Sequence, residues 1–519
     1  MAARQSVELT GDILALATIE AVATGKAEVT LVPSALEHLA AGREVVEAAL
    51  AKEEPVYGLT TGLGARVTHR LSNEDLAAFS LRTVQGRAQS VGPELDRETV
   101  RAALLIHLNG RLAGGSGLSP AIGQLLADML NADLRPALPA IGSLGAGDLC
   151  ILGHLGAFVA GEGRGWLGAE RGEAKALFAK AGLAPAQLGP KDGLALINSS
   201  SAGAALAALT LARLQRLHAT AQVAGALSLE AFRGNLSPLH PQASAARAQP
   251  GQTRAAKELL ALLEGSLLQQ PGQARRVQDP ISLRCLAPIH GSQIVAWEAA
   301  FAALEPETGG GSSDNPLILP DRGQIISTGN FLTPHLTLTL ETLARALAHS
   351  AAACLARMSR LMVERFSGLP NNLTTLGSGH SGFAPLMKVG ESLLGEITHL
   401  AQPAPLALRW GADGVEDDAT HTPLAAKNLS ALADRLVLLL SLELVVAAQA
   451  LELAAPAQVA PRMEQALALV RSHVAPLGED RSFSAEVMAL AAGAVSDGRL
   501  SGLLDLSPAQ QTPQATTSS

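Results

Sequence analysis

Ser201–Phe232, SAGAALAALTLARLQRLHATAQVAGALSLEAF, places apolar residues at intervals of three and four along its whole length. That is the period of an α-helix. A helix of this length is a rod on the order of 50 Å, and its apolar stripes need equally long partners, often supplied by another subunit. Residues 334–366, PHLTLTLETLARALAHSAAACLARMSRLMVERF, repeat the pattern. The most apolar run, 432–455, is interrupted by Arg435, Glu443 and Glu452. A membrane span needs about 20 nearly uncharged residues, so this run is predicted to be a buried bundle helix. Strand patterns are scarce and no repeat of fixed period occurs. The predicted fold class is therefore mainly α, with a long central helical bundle.

Composition agrees with a thickly buried helical protein: of 519 residues, 48% are hydrophobic and only 17% charged. The net charge is −8, and no segment gathers Lys and Arg among aromatics, so nucleic acid is not an expected partner. Cys150, Cys285 and Cys354 are far apart and form no C-x-x-C. Neither a disulfide framework nor a zinc site is indicated, and a reducing cytoplasm is expected. Residues 1–25 have no uninterrupted apolar core of the kind that export signals carry.

Residues 1–200 are punctuated by glycine-rich turns, among them YGLTTGLGARV (57–67), NGRLAGGSGLSP (109–120) and IGSLGAGDL (141–149). Glycine concentrates where backbone must bend sharply or approach a ligand closely. Residues 1–200 are thus predicted to be an N-terminal active-site region, 201–505 the central bundle with C-terminal helices, and 506–519 a polar, disordered tail.

Several motifs together resemble the histidine and aromatic amino acid ammonia-lyase family. VYGLTTGLG (56–64) resembles its Tyr-Gly-x-Asn-Thr-Gly-Phe-Gly loop, and GPKDGLALINSSS (189–201) its asparagine loop. VQDPISLRC (277–285) resembles its Gln-Asp-x-Tyr-Ser-Leu-Arg segment, and SSDNPLI with STGNF (312–331) its Asp-Asn-Pro and Gly-Asn-Phe pair. The resemblance runs from about Tyr57 to Arg499. It implies a helical subunit of the fumarase/aspartase-like bundle type and a homotetramer whose sites draw on three chains. It also implies methylidene-imidazolone, an electrophile formed when an Ala-Ser-Gly tripeptide cyclises and loses water.

Here the corresponding loop is Gly142-Ser143-Leu144-Gly145-Ala146-Gly147-Asp148-Leu149. The serine is absent. The methylidene carbon derives from the β-carbon of that serine after its hydroxyl leaves, and neither Ala146 nor Gly147 carries a hydroxyl. No cofactor is therefore expected. Ser143 would require the amide of bulky Leu144 as ring nucleophile, so it is taken as a hydroxyl capping a turn.

By the resemblance, Tyr57, the sole tyrosine of the chain, stands at a catalytic tyrosine's position, and phenols can transfer protons. Asn198 matches the substrate-positioning asparagine, with a loop-capping Asn as the alternative. Arg284, with Gln278 beside it in the motif, matches the arginine that pairs with the substrate carboxylate; a structural ion pair is its competitor. Asn315 and Phe331 match pocket-lining positions, against capping and core packing. Glu416 matches a glutamate at the amine side. Glu416, Asp417, Asp418 and His421 contain metal-ligand types but no closed ligand set, and a solvated acidic loop is preferred. Several positions depart from the pattern: the second catalytic tyrosine is Ile281, the loop Asn is Thr60 and the loop Phe is Leu63. Arg87 occupies the place where histidine-specific members recognise the imidazole, with a surface arginine as the alternative.

The favoured expectation is a lyase that expels ammonia or another group from a small carboxylate-bearing amino acid without the electrophilic ring. Such elimination needs an acidic proton or a better leaving group, and Arg87 would favour an anionic side chain. A second reading is a non-catalytic, ligand-binding or partner subunit. A third, an ordinary cofactor-bearing enzyme, needs one residue more between Ala146 and Gly147 than the sequence has.

Overall fold

The computed structural model describes residues 5–52, 55–62, 73–404, 411 and 414–504, with only the backbone of 73–77. Leu63 and the tail 506–519 lie outside the described residues. The chain is 61% helix and 8% strand, the mainly helical class that the apolar periodicity predicts. Two compact units form, each discontinuous in sequence. One comprises Met1–Ala212, Phe301–Leu338 and Pro403–Lys427; the other comprises Arg213–Ala300, Thr339–Gln402 and Asn428–Ser519.

In the first unit, helices α1 (Asn73–Arg87), α2 (Arg97–Leu112), α3 (Leu149–Val159) and α4 (Asp192–Ile197) position the loops. Helix α2 starts where the Asp96 carboxylate accepts from the Thr99 amide at 2.7 Å, an N-cap that satisfies an otherwise unpaired donor. It is buried along nearly its whole length, including Arg101, His107, Asn109 and Arg111. Its polar side chains serve as ties: Arg101 donates to the carbonyls of Val22, Ala23 and Leu130, and Asn109 to those of Asp12 and Thr308.

Close packing brings α1 against α3 and α4. A Cβ on Gly153 would stand 2.4 Å from the Arg87 carbonyl carbon, and one on Gly193 would stand 2.3 Å from the Ser80 oxygen. Only hydrogen fits at either place, so the end of α1, with Arg87, is seated beside the loop that leads into α3. The entry to that loop is held by antiparallel pairing of Pro139–Ile141 with Val91–Glu94.

The long runs form α5 (Ser201–Phe232), α7 (Leu286–Thr308), α8 (Pro334–Leu361) and α9 (Thr422–Ala454), with the shorter α6 (Pro250–Leu262) between α5 and α7. Helix α8 stops five residues before the periodic run ends, because Val363 is extended (φ −114°, ψ 114°). Two segments, Asp192–Phe232 and Thr422–Ala454, are long and apolar enough to cross a membrane, yet 89% and 83% of their apolar windows are buried inside the protein. Of the charges that interrupt 432–455, Glu443 is buried, whereas Arg435 and Glu452 pair at exposed positions with Glu396 and Arg471. In the second unit, Glu443 of α9 receives Arg357 Nε at 2.5 Å and Nη2 at 2.8 Å from α8, and Ser228 Oγ at 3.0 Å from α5. Glu258 of α6 accepts from Gln222 at 2.7 Å and meets His218 at 2.9 Å, while Gln222 meets His290 of α7 at 2.7 Å. These groups pair with one another away from water, while His218 Nδ1, His290 Nε2 and Arg357 Nη1 are buried without a hydrogen-bond partner among the described residues.

Candidate active site

A cavity of about 500 Å³ opens in the first unit. Six residues singled out by sequence line it: Tyr57, Arg87, Asn198, Asn315, Phe331 and Glu416, together with Ala146 of the degenerate loop. They come from positions as far apart as 57 and 416, and the half-buried Arg87 is among them. Asp417 and Asp418 also line it, as do Ser327 and an apolar wall that includes Leu194 and Ile197. The sequence reading missed Ser327 and this wall, although Leu194, Ile197 and Ser327 sit inside motifs already recognised. Arg284 and Gln278 belong to the second unit, where Arg284 Nη1 donates to Gln278 Oε1 at 2.6 Å. Among the described residues no group of three or more His, Cys, Asp and Glu could hold a metal ion.

Tyr57 sits in a tight turn. The Val56 carbonyl accepts from the amides of Leu59, Thr60 and Thr61, and the Val56 amide donates to Thr60 Oγ1 at 2.7 Å. Thr60, where the family has asparagine, thus closes the turn that holds the phenol.

The loop 142–148 is pinned at every step. Ser143 Oγ donates to Asp148 Oδ1 at 2.6 Å and accepts from the Gly145 amide at 3.1 Å. Its hydroxyl caps the loop, as the sequence suggested. Gly145 and Gly147 have φ of +79° and +67°, a region that favours glycine. A Cβ on Gly145 would lie 2.1 Å from Thr420 Oγ1, and one on Gly147 would lie 2.9 Å from Asn198 Oδ1. The Gly147 amide donates to the Phe331 carbonyl at 3.1 Å, and Thr420 Oγ1 to the Gly145 carbonyl at 2.9 Å. These are the nitrogen and the carbonyl that a ring over Gly145-Ala146-Gly147 would have to join. With Ala146 at its centre there is no hydroxyl to lose, so these residues do not fit a methylidene-imidazolone.

Asp148 is buried beneath the loop, and burial raises its pKa against the hydrogen bonds from Ser143 and the Gly203 amide. Glu307, near the end of α7, is pushed up to about 7, first by burial and then by the negative charge of Asp148. A carboxyl whose folded pKa is raised stabilises the fold fully below its unfolded value of 4.5 and loses that contribution as pH climbs through about 7. The shift corresponds to about 3 kcal/mol. Glu307→Gln is therefore expected to gain stability relative to wild type, by about 2 kcal/mol, as pH rises from about 5 to about 8. Denaturant unfolding of both proteins across that range checks this; parallel curves would contradict it.

On this helical scaffold a phenol, a guanidinium, amides and carboxylates gather around one cavity. The aromatic amino acid lyase family model matches residues 14–472. Histidine ammonia-lyase from Anaeromyxobacter sp. (strain K) is 37% identical over 498 residues, covering 94% of this chain and 98% of that protein. The crystal structure of the ergothioneine-degrading enzyme ergothionase from Treponema denticola, in complex with desmethyl-ergothioneine sulfonic acid, is similar with a TM-score of 0.91 and 29% identity. The match covers 96% of this chain and 99% of that one. Histidine ammonia-lyase from Trypanosoma cruzi is similar with a TM-score of 0.86 and 27% identity, covering 99% and 100%. The chain belongs to the histidine and aromatic amino acid lyase family, and it is a carbon–nitrogen lyase.

Proposed function

We propose that this lyase works without methylidene-imidazolone and acts on a small amino acid whose departing nitrogen is already fully alkylated. One observation carries the reading: a loop with no β-hydroxyl at its centre faces a cavity lined, among the described residues, by Glu416, Asp417 and Asp418 and by one guanidinium, that of Arg87. A primary amine is a poor leaving group and benefits from capture by an electrophile. A quaternary ammonium has no lone pair with which to attack one, and it departs as a neutral tertiary amine. Its permanent positive charge matches three carboxylates, whereas Arg87 suits an anionic or electron-rich side chain at the other end. Ergothioneine, the compound named for one similar enzyme, is of this class: its α-nitrogen bears three methyl groups and its ring bears sulfur.

The chemistry balances with residues of this chain. The oxygen of Tyr57, acting as the base, takes the β-proton, the C–H electrons become the Cα=Cβ bond, and the Cα–N pair leaves with the amine. Arg284 serves as the carboxylate clamp, delivered from a neighbouring copy in a homotetramer.

The test is a substrate panel on the purified protein: ergothioneine and trimethylated histidine against histidine, phenylalanine and tyrosine. Tertiary amine release from the alkylated compounds, unaffected by borohydride, is expected. Comparable turnover of histidine, or an intact mass lower than the encoded one by two waters, would overturn the reading.

A further inference from the structure

Helix α4 has only six residues, yet both of its flanking residues are tied to one buried carboxylate. At its start, Lys191 Nζ donates to Asp314 Oδ2 at 2.6 Å; at its end, Asn198 Nδ2 donates to Asp314 Oδ1 at 2.8 Å. The second amide proton of Asn198 points to the Asn315 carbonyl at 3.3 Å. With both protons directed inward, the amide cannot turn over without losing them, and its oxygen is the atom left for the cavity. The spacing of 2.9 Å from Asn198 Oδ1 to a Cβ built on Gly147 places that oxygen against the loop that lacks the serine.

Two further observations separate Lys191 from an ordinary packing residue. Its backbone is left-handed, with φ +71°, a conformation that costs a non-glycine residue about 1 kcal/mol and persists only where its surroundings enforce it. Its side chain and that of Asp314 are both fully buried, and Arg111 lies 3.5 Å from the same carboxylate while donating to the backbone carbonyl of Asn198 at 2.8 Å. Asp192, the other acid beside Lys191, is occupied by Ser119, the Gly189 amide and Arg43. Two cations thus bear on Asp314 beneath Asn198.

We propose that Lys191 is a positioning residue: through Asp314 it holds the Asn198 amide so that only its carbonyl oxygen is presented to the substrate. The inference rests on the proposed elimination, in which an acceptor at this place faces the cationic end of the substrate. Lys191 itself touches neither the cavity nor the reacting atoms. Its effect passes entirely through Asn198.

The test is a double-mutant cycle with Lys191→Met and Asn198→Ala on ergothioneine. Each single variant is expected to lower kcat by about 100-fold, the scale of a misplaced substrate contact. The double variant should fall no further than Asn198→Ala alone, with KM moving by less than about threefold. Losses that multiply would show that Lys191 acts by another route and overturn the proposal. If Lys191→Met fails to fold, Asp314→Asn replaces it in the cycle with the same expectation, since it keeps the side-chain size and removes the charge. A crystal structure of whichever variant folds supplies a substrate-free readout. Asn198 displaced or inverted supports the proposal, and Asn198 unmoved overturns it. Wild-type protein that releases no tertiary amine counts against the proposed elimination alone, because that structure still decides the positioning.

Discussion

Tyr57→Phe is expected to reduce kcat by about 10²- to 10⁴-fold, the range lost with a general base, while ligand binding stays within about threefold. Tyr57 is the only tyrosine in the chain, it lines the cavity, and its turn is closed by Thr60 and the Val56 carbonyl. Phenylalanine keeps the ring and the turn and removes only the oxygen that would hold the proton. Binding is read by calorimetry with glycine betaine, which carries a carboxylate and a quaternary ammonium but no β-proton and so cannot react. A kcat near wild type would remove Tyr57 from the proton transfer; a collapse of glycine betaine binding would make its role one of binding.

Arg357→Met is expected to cost about 3–5 kcal/mol, because it leaves the Glu443 carboxylate buried and without its counterion. Both side chains are almost completely buried, at 1% and 0% exposure. The pair joins α8 to α9, and Ser228 brings in α5. Replacing both partners, Arg357→Met with Glu443→Leu, should recover most of the loss, since a well-packed apolar pair often matches a buried ion pair. Denaturant unfolding at one fixed protein concentration measures this, as association would otherwise shift the apparent stability. A single variant as stable as wild type would mean that water or another group reaches Glu443.

Much of the molecule was legible from the chain alone. Apolar spacing over 201–232 and 334–366 is a local property, set by the helical period, and it marked the long helices before any contact was known. The absence of a hydroxyl at Ala146 and Gly147 is covalent and no folding can supply one. The motifs likewise marked Tyr57, Asn198, Asn315, Phe331 and Glu416, because short-range sequence carries the turns and caps that present them.

Tertiary structure alone decided which charges meet. Arg87 could have been a surface residue; it lines the cavity because the missing side chain at Gly153 lets α3 approach the end of α1. Asp417 and Asp418 are exposed, as a solvated run is, and they also line the same cavity as Arg87. Lys191 and Asp314 are 123 residues apart, and Arg357 and Glu443 are 86 apart. Periodicity announces neither pair. A charge can be buried only where its partner arrives in three dimensions, and that arrival is set by helix packing rather than by any neighbour along the chain.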